Sequence, residues 1–248
     1  MAASSSYEKE RETVISLIED YLATGAWTSA VVTDGVEFKT TPNKSGHAIN
    51  VFYGRKTVGA SVERILDFSW NNTSLDNIKQ FDPDCLDWSF KDTGPQERVV
   101  YQRNKIGWPI WDRSFVSLWF VVKRGESTLI CYTGITHPDY PESPKSGMLN
   151  FFVLFSLFFF PNLFQRCESH SSFSFFLSFS LSFSLSLCVD VRGFVTVACL
   201  HLTPTADGKT VIQRLMHIDP AGSLPAAIVN RLGSRQIVTF INWLEKQL

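Results

Sequence analysis

Two carboxylates, Asp82 and Asp84, flank Pro83 in the run Asp-Pro-Asp. Anionic side chains at that spacing could hold a cation. The same run is a turn sequence, because Asp bonds the backbone just ahead of it and Pro presets φ. Two arginines, Arg113 and Arg192, each stand at the head of an apolar strand sequence. An arginine at the rim of a buried space needs an anionic or carbonyl partner. That partner is either an internal carboxylate or a phosphate or carboxyl group carried by a ligand. The histidines, His47, His137, His170, His201 and His217, are scattered. His217 falls inside a strand sequence with no dyad partner supplied, and reads as a packed, hydrogen-bonded strand histidine. There is no GxSxG, no glycine-rich phosphate loop, no HExxH and no Cys/His ligand spacing. The chemistry expected is therefore recognition, with no catalytic residue, no cofactor and no metal.

The elements that must position these residues are legible from periodicity. Ser5-x-x-Glu8 is a capping-box sequence, and Val14, Ile18, Tyr21 and Leu22 share one helical face up to Thr24–Gly25. Trp27–Thr40 and Ala48–Lys56 hold short strand sequences, the first interrupted by the hairpin pair Asp34–Gly35. Thr57–Phe68 and Ser74–Gln80 read as short helices. Leu86–Phe90, Glu97–Gln102, Arg113–Val122 and Ser127–Thr136 read as strands. The third of these, RSFVSLWFVV, is nearly continuously apolar and reads as buried on both faces. Trp108 and Trp111 bracket Pro109 in a rigid loop, whose amphipathic rings suit core packing, a pocket mouth or a membrane interface.

Thr210–Leu248 closes the chain with a strand, VIQRLMHI, a turn, DPAGS, and one long helix. Pro225 suits its first turn, and Asp219 and Ser223 are the expected caps. Its apolar stripe runs Leu224, Ile228, Leu232, then Ile237, Phe240, Ile241, Leu244 and Leu248. The two halves of that stripe do not line up at helical spacing, so the helix is bent near Gly233 or apolar over a wide arc. The element order predicts an α+β fold with a meandering antiparallel sheet. A long amphipathic helix laid across such a sheet encloses an apolar space suited to a greasy ligand.

A formal charge of −1 argues against a nucleic-acid partner. The 44% hydrophobic content is enough to fill a core. The first residues, MAASSSYEKERE, lack the apolar region of a secretory leader. With Cys85, Cys131, Cys167, Cys188 and Cys199 an odd set, free thiols in a reducing, cytoplasmic setting are expected. The segment 148–190 departs from all this. Met148–Phe164 is an uncharged run rich in Phe and Leu, and every residue of Ser171–Leu187 is Ser, Phe or Leu. Phe, Ser and Leu share pyrimidine-rich codons, so the segment reads as a translated pyrimidine tract in a retained intron. The protein is then a single domain over 1–248, interrupted at 148–190 by a disordered or aggregation-prone insert.

The stretch ERVVYQRNKIGWPIWDRSFVSLWF, with KQFD at Lys79–Asp82, VRGFVTVACLHLTP and DPAGSLPAAIVNRLGSRQIVTFINWL, resembles the START (StAR-related lipid-transfer) family. The likeness is nearest to its phosphatidylcholine-transfer branch and covers nearly all the chain outside 148–190. It departs from that branch at Ile78, where an Arg is expected, and at Arg103, where a Glu is. The resemblance implies a helix-grip fold: a curved antiparallel sheet wrapped around the C-terminal helix, with an N-terminal helix. It implies one lipid, phospholipid or sterol, in an internal cavity, carried between membranes through transient surface contact and without catalysis. The lipid site would draw on Asp82, Trp111, Arg113, Phe115, Trp119, Arg192, Val195, Leu215, Leu224, Ile228, Leu232 and Phe240. Gly222 and Gly233 would be hinge points for release. The alternatives are a helix-grip enzyme acting on a small hydrophobic substrate, and a START protein tethered to a membrane through 148–190.

Overall fold

A computed structural model describes residues 7–44, 48–106, 111–142, 190–222 and 224–248. The insert apart from Asp190 therefore lies outside the described residues, as do Ser5, Trp108, Cys167, Cys188 and Ser223. Helix α1, Glu8–Thr24, is followed by strands β1 (Val31–Thr33), β2 (Val36–Thr41) and β3 (Val51–Val58). Helices α2 (Val62–Asn71) and α3 (Leu75–Phe81) lead into β4 (Cys85–Gly94), β5 (Glu97–Asn104), β6 (Arg113–Arg124) and β7 (Ser127–Gly134). Strands β8 (Val191–Arg192), β9 (Phe194–Pro204) and β10 (Thr210–Asp219) precede the last helix, α4, Ala226–Gln247.

Local chemistry explains the boundaries. Asp34 and Gly35 both take positive φ, which makes the tight turn that reverses β1 into β2. Helix α2 starts later than the apolar spacing predicts. Ser61 caps it by accepting from the Arg64 N–H, while Thr57 and Val58 complete β3. Ser74 likewise caps α3 by accepting from Asn77. Of the expected caps of α4, Ser223 lies outside the described residues. Asp219 accepts from the Ala221 N–H inside the turn, and Pro225 precedes the first helical residue with its carbonyl accepting from Ile228 and Val229.

The sheet runs β1-β2-β3-β10-β9-β7-β6-β5-β4, with neighbouring strands antiparallel. Strand β7 ends at Gly134 opposite Ser117, which leaves the head of β6 open, and β8 pairs there in parallel. Strands β7 and β9, one on either side of 143–189 in sequence, are direct neighbours in the sheet.

Each face of the sheet has its own core. Val14, Ile18 and Tyr21 of α1 pack on Leu118, Phe120, Leu129, Cys131, Val197, Cys199 and Leu215. Ile237, Ile241 and Leu244 of α4 pack on Phe52, Ile130, Leu200, Leu202, Ile212 and Met216. Strand alternation produces this split, since successive side chains point to opposite faces. Two glycines let α4 come close: a Cβ on Gly54 would collide with Ile237, and one on Gly233 with Phe52. Cys85, Cys131 and Cys199 are free and buried, and burial pushes the Cys85 thiol up to about 11 and the Cys199 thiol up to about 12.

Candidate functional site

Asp82 is the residue at which α3 stops. Its backbone N–H donates to Ile78, and the carboxylate turns toward β5. Gln102 and Asn104 alternate with Tyr101 and Arg103, so both project to the α4 side. Their amides donate to Oδ2 of Asp82 at 3.0 and 2.7 Å. Asp82 is buried, and burial raises its pKa above the ordinary carboxylate value, against the pull of the Asn104 and Gln102 bonds. Pro83 and Asp84 form the turn into β4. Among the described residues no group of His, Cys, Asp and Glu could hold a metal ion.

From this carboxylate the same sheet face carries a row of rings. Trp88 on β4 meets Trp119 on β6 edge-on at 5.3 Å between centroids, and Trp119 meets Tyr132 on β7 edge-on at 4.6 Å. Trp119 Nε1 donates to Ser117 Oγ at 2.9 Å. Opposite them, α4 brings Phe240 and Trp243 against Phe81, at 5.1 and 4.6 Å. Arg214 of β10 lies between these walls, its guanidinium 3.7 Å from the centre of the Phe240 ring. Burial draws its pKa down to about 10, opposed by Tyr132 and Asp82, so it remains a cation at neutral pH. Burial likewise pushes the Tyr132 phenol well up, and it stays protonated.

Three polar atoms on this face are sealed from water without a hydrogen-bond partner: Trp88 Nε1, Asn104 Oδ1 and Arg214 Nη1. Tyr132 and Arg214 are half-buried.

Of the residues singled out from the sequence, Asp82, Trp119 and Phe240 come together here. Phe115 is on the same side of β6 by alternation and lies over Gly193. The others are placed elsewhere. Arg113 is buried and spends its guanidinium on backbone, Nε donating to Pro220 at 2.6 Å and Nη1 to Trp111 at 2.6 Å. It ties the β10–α4 turn to the head of β6. Arg192 donates to the carbonyls of Tyr140 and Pro141. Leu215 faces α1, Val195 is buried outside both core clusters, and Leu224 is half-buried. Trp111, Ile228 and Leu232 are exposed. His217, on the α1 side, contacts Asn43 Nδ2 through Nε2 at 2.9 Å.

A large open antiparallel sheet with one helix at the start of the chain and a long one across the opposite face is the helix-grip arrangement. Superposition identifies which version it is. The human StAR-related lipid transfer protein 5 matches with a TM-score of 0.67 at 18% identity, over 96% of this chain and 94% of that one. The chain has the START fold. Human STARD10 superposes with a TM-score of 0.65 at 16% identity, covering 95% of this chain and 78% of that one. A START protein fragment from Xanthomonas axonopodis gives 0.58 at 17% identity, covering 89% and 97%. No protein-family model matches the sequence, and neither does any curated protein. Among the described residues of this START fold, no helix is long and apolar enough to cross a membrane.

Proposed function

We propose that the protein binds one lipid between the sheet and α4 and carries it between membranes without chemical change. The observation that carries this is on the α4 face of the sheet: Trp88 Nε1 and Arg214 Nη1 are sealed from water without a hydrogen-bond partner, among the rings of Trp119, Tyr132 and Phe240. Donors left open in that way fit a ligand held in a space between the sheet and α4. Apolar residues of the α4 cluster wall that space on one side, and the polar group around Asp82 gives it one hydrophilic end. An amphiphile matches such a space: the chain is held by apolar burial at roughly 25 cal/mol per Å², and the head is fixed by a few placed polar groups. Asp82, Trp88, Gln102, Trp119, Tyr132, Arg214 and Phe240 are the lining residues this reading assigns. The proteins it superposes on carry lipid-transfer names. The exposed Ile228 and Leu232 at the start of α4 are where the protein would touch a membrane. The same reading makes 1–248 one domain working in the cytoplasm, with 148–190 set into the connection between two neighbouring strands.

Native mass spectrometry of the full chain, followed by lipid extraction, tests this. A one-to-one lipid adduct, or its appearance after incubation with mixed-lipid vesicles, is the expected result. A folded chain that neither carries lipid nor acquires any refutes it. A chain lacking 148–190 is expected to load the same lipid.

A further inference from the structure

The arginine inside the lipid space has no anion of its own. Arg214 makes no ion pair among the described residues, and its Nη1 is sealed from water with nothing to donate to. The nearby carboxylate does not fill that role, because Asp82 accepts both of its amide bonds on Oδ2 and stands outside ion-pair distance of Arg214. The one face of the guanidinium that is engaged lies on Phe240, which satisfies its charge only through the ring's π cloud and none of its N–H groups. Trp88 Nε1 is a second unsatisfied donor on this face. A cation and a neutral donor left open in a water-poor space select an acceptor that bears negative charge. Arg98, Arg103 and Arg192 also each hold an Nε sealed from water without a hydrogen bond, but Arg98 pairs with Asp92 and donates to the Trp70 carbonyl and Thr73, Arg192 donates to the Tyr140 and Pro141 carbonyls, and Arg103 lies on the other face of β5. Arg113 donates to carbonyls.

We infer that Arg214 is the specificity-determining residue of the lipid site, and that the cargo is an amphiphile whose head carries an anionic oxygen group, a phosphate or a carboxylate, seated against Arg214 with Phe240 closing behind it. This rests on the lipid-binding reading and narrows it, excluding sterols and other neutral lipids as the preferred cargo. It also links recognition to the last helix, because the residue that holds the anion is the residue stacked on α4.

The test uses the full chain and four separate vesicle preparations in a phosphatidylcholine-free carrier: a phosphate-bearing glycerophospholipid, a long-chain fatty acid, cholesterol, and diacylglycerol. Bound lipid is counted by native mass spectrometry. Wild type is expected to load either the phospholipid or the fatty acid at least tenfold above cholesterol and diacylglycerol, and the arm that loads names the anion's source. Arg214→Gln is expected to lose that preference while still taking up neutral lipid, and Arg214→Lys to keep a reduced one. Wild type that loads cholesterol or diacylglycerol as well as the anionic lipids overturns this inference and leaves lipid binding standing. Wild type that loads none of the four overturns both. If Arg214→Gln does not fold, by far-ultraviolet circular dichroism, the selectivities of wild type and Arg214→Lys decide. Equal neutral loading in wild type, or a wild-type preference that Arg214→Lys leaves unchanged, refutes the assignment.

Discussion

From Ile237 onward, α4 sets Ile237, Ile241 and Leu244 into the sheet with no exposed surface. Before Ile237 its only buried residue is Gly233, and Ile228 and Leu232 are 44% and 51% exposed. The second half is fastened in other ways as well. Trp243 packs at a tilt against the rings of Phe68 and Phe81 and donates to Gln80, and Lys56 reaches both Asn242 and Glu245. The first half has the Asn230 side chain, which accepts from the Asn50 backbone, and the close approach of Gly233 to Phe52. It hangs from a turn in which Ala221 and Gly222 both hold positive φ. Positive φ at Ala221 is a conformation few residues other than glycine adopt, and Arg113 braces that turn by donating to Pro220 and Ala221. The difference separates an anchor from a flap. Any opening of the proposed lipid space is expected to start at the Pro225 end and stop near Gly233, where the helix first touches the sheet.

The largest effect belongs to the anchor. Ile241→Ala is expected to cost about 2–5 kcal/mol in chemical denaturation, the range for a buried isoleucine cut to alanine. A loss under 1 kcal/mol would mean that the two halves are held alike. Gly233→Ala sharpens the boundary through its sign. In an exposed helix the change would stabilise by about 1 kcal/mol. Here the new methyl meets the Phe52 ring, so a loss of about 1–3 kcal/mol is expected from overpacking. A gain would place Gly233 with the flap.

Asp82 gives the comparison a pH axis. Its folded pKa is raised, chiefly by burial. The stability it contributes is therefore fully present below its ordinary value near 3.8 and is lost as pH rises through the raised value. Asp82→Asn keeps an acceptor for Gln102 and Asn104 and removes that loss. In denaturation series at increasing pH, the variant is expected to gain on wild type across that window and then hold a constant lead. A lead that shrinks as pH rises would mean that attraction to Arg214 outweighs burial.

How much of this was readable in the sequence depended on the period involved. Val14, Ile18 and Tyr21 are buried as their spacing predicts, because the helical period fixes a face without reference to anything else. Asp34–Gly35 gave its hairpin, because a two-residue turn is local chemistry. Strand faces were harder. Leu215 and Arg214 are one residue apart, and the sequence offered the leucine as the lining residue. In a strand with a core on both faces, hydrophobicity does not say which side would face the proposed lipid. The signal that was available is the alternation Ile212, Arg214, Met216 on one side, a charge in an otherwise apolar row. Tyr132, Trp88 and Gln102 join the site through sheet register across several strands, which no local pattern contains. Arg113 looked like a ligand contact because the sequence could not show that the Pro220 and Ala221 carbonyls arrive beside it.

The helix stripe is the instructive case, because its two halves were visibly out of phase. Ile228 to Ile237 is nine residues, as is Leu232 to Ile241. At about 3.6 residues per turn this is roughly two and a half turns, so each pair points in opposite directions on a straight helix. One stripe had to face away from the sheet, and it is the first. A double variant, Ile228→Ser with Leu232→Ser, therefore tests the flap directly. Neither side chain is packed, so denaturation is expected to change by no more than about 0.5 kcal/mol. Two apolar contacts for a membrane surface disappear, so lipid transfer between labelled vesicles is expected to slow several-fold. Ile237→Ser should do the opposite at equal lipid loading, with stability falling steeply. If the double variant instead unfolds easily, those residues are covered in the working state, and the flap is closed by contacts beyond the described residues. If it is stable and transfers at the wild-type rate, the membrane reads some other surface, and the exposed Trp111 beside the Arg113 brace is the next residue to change.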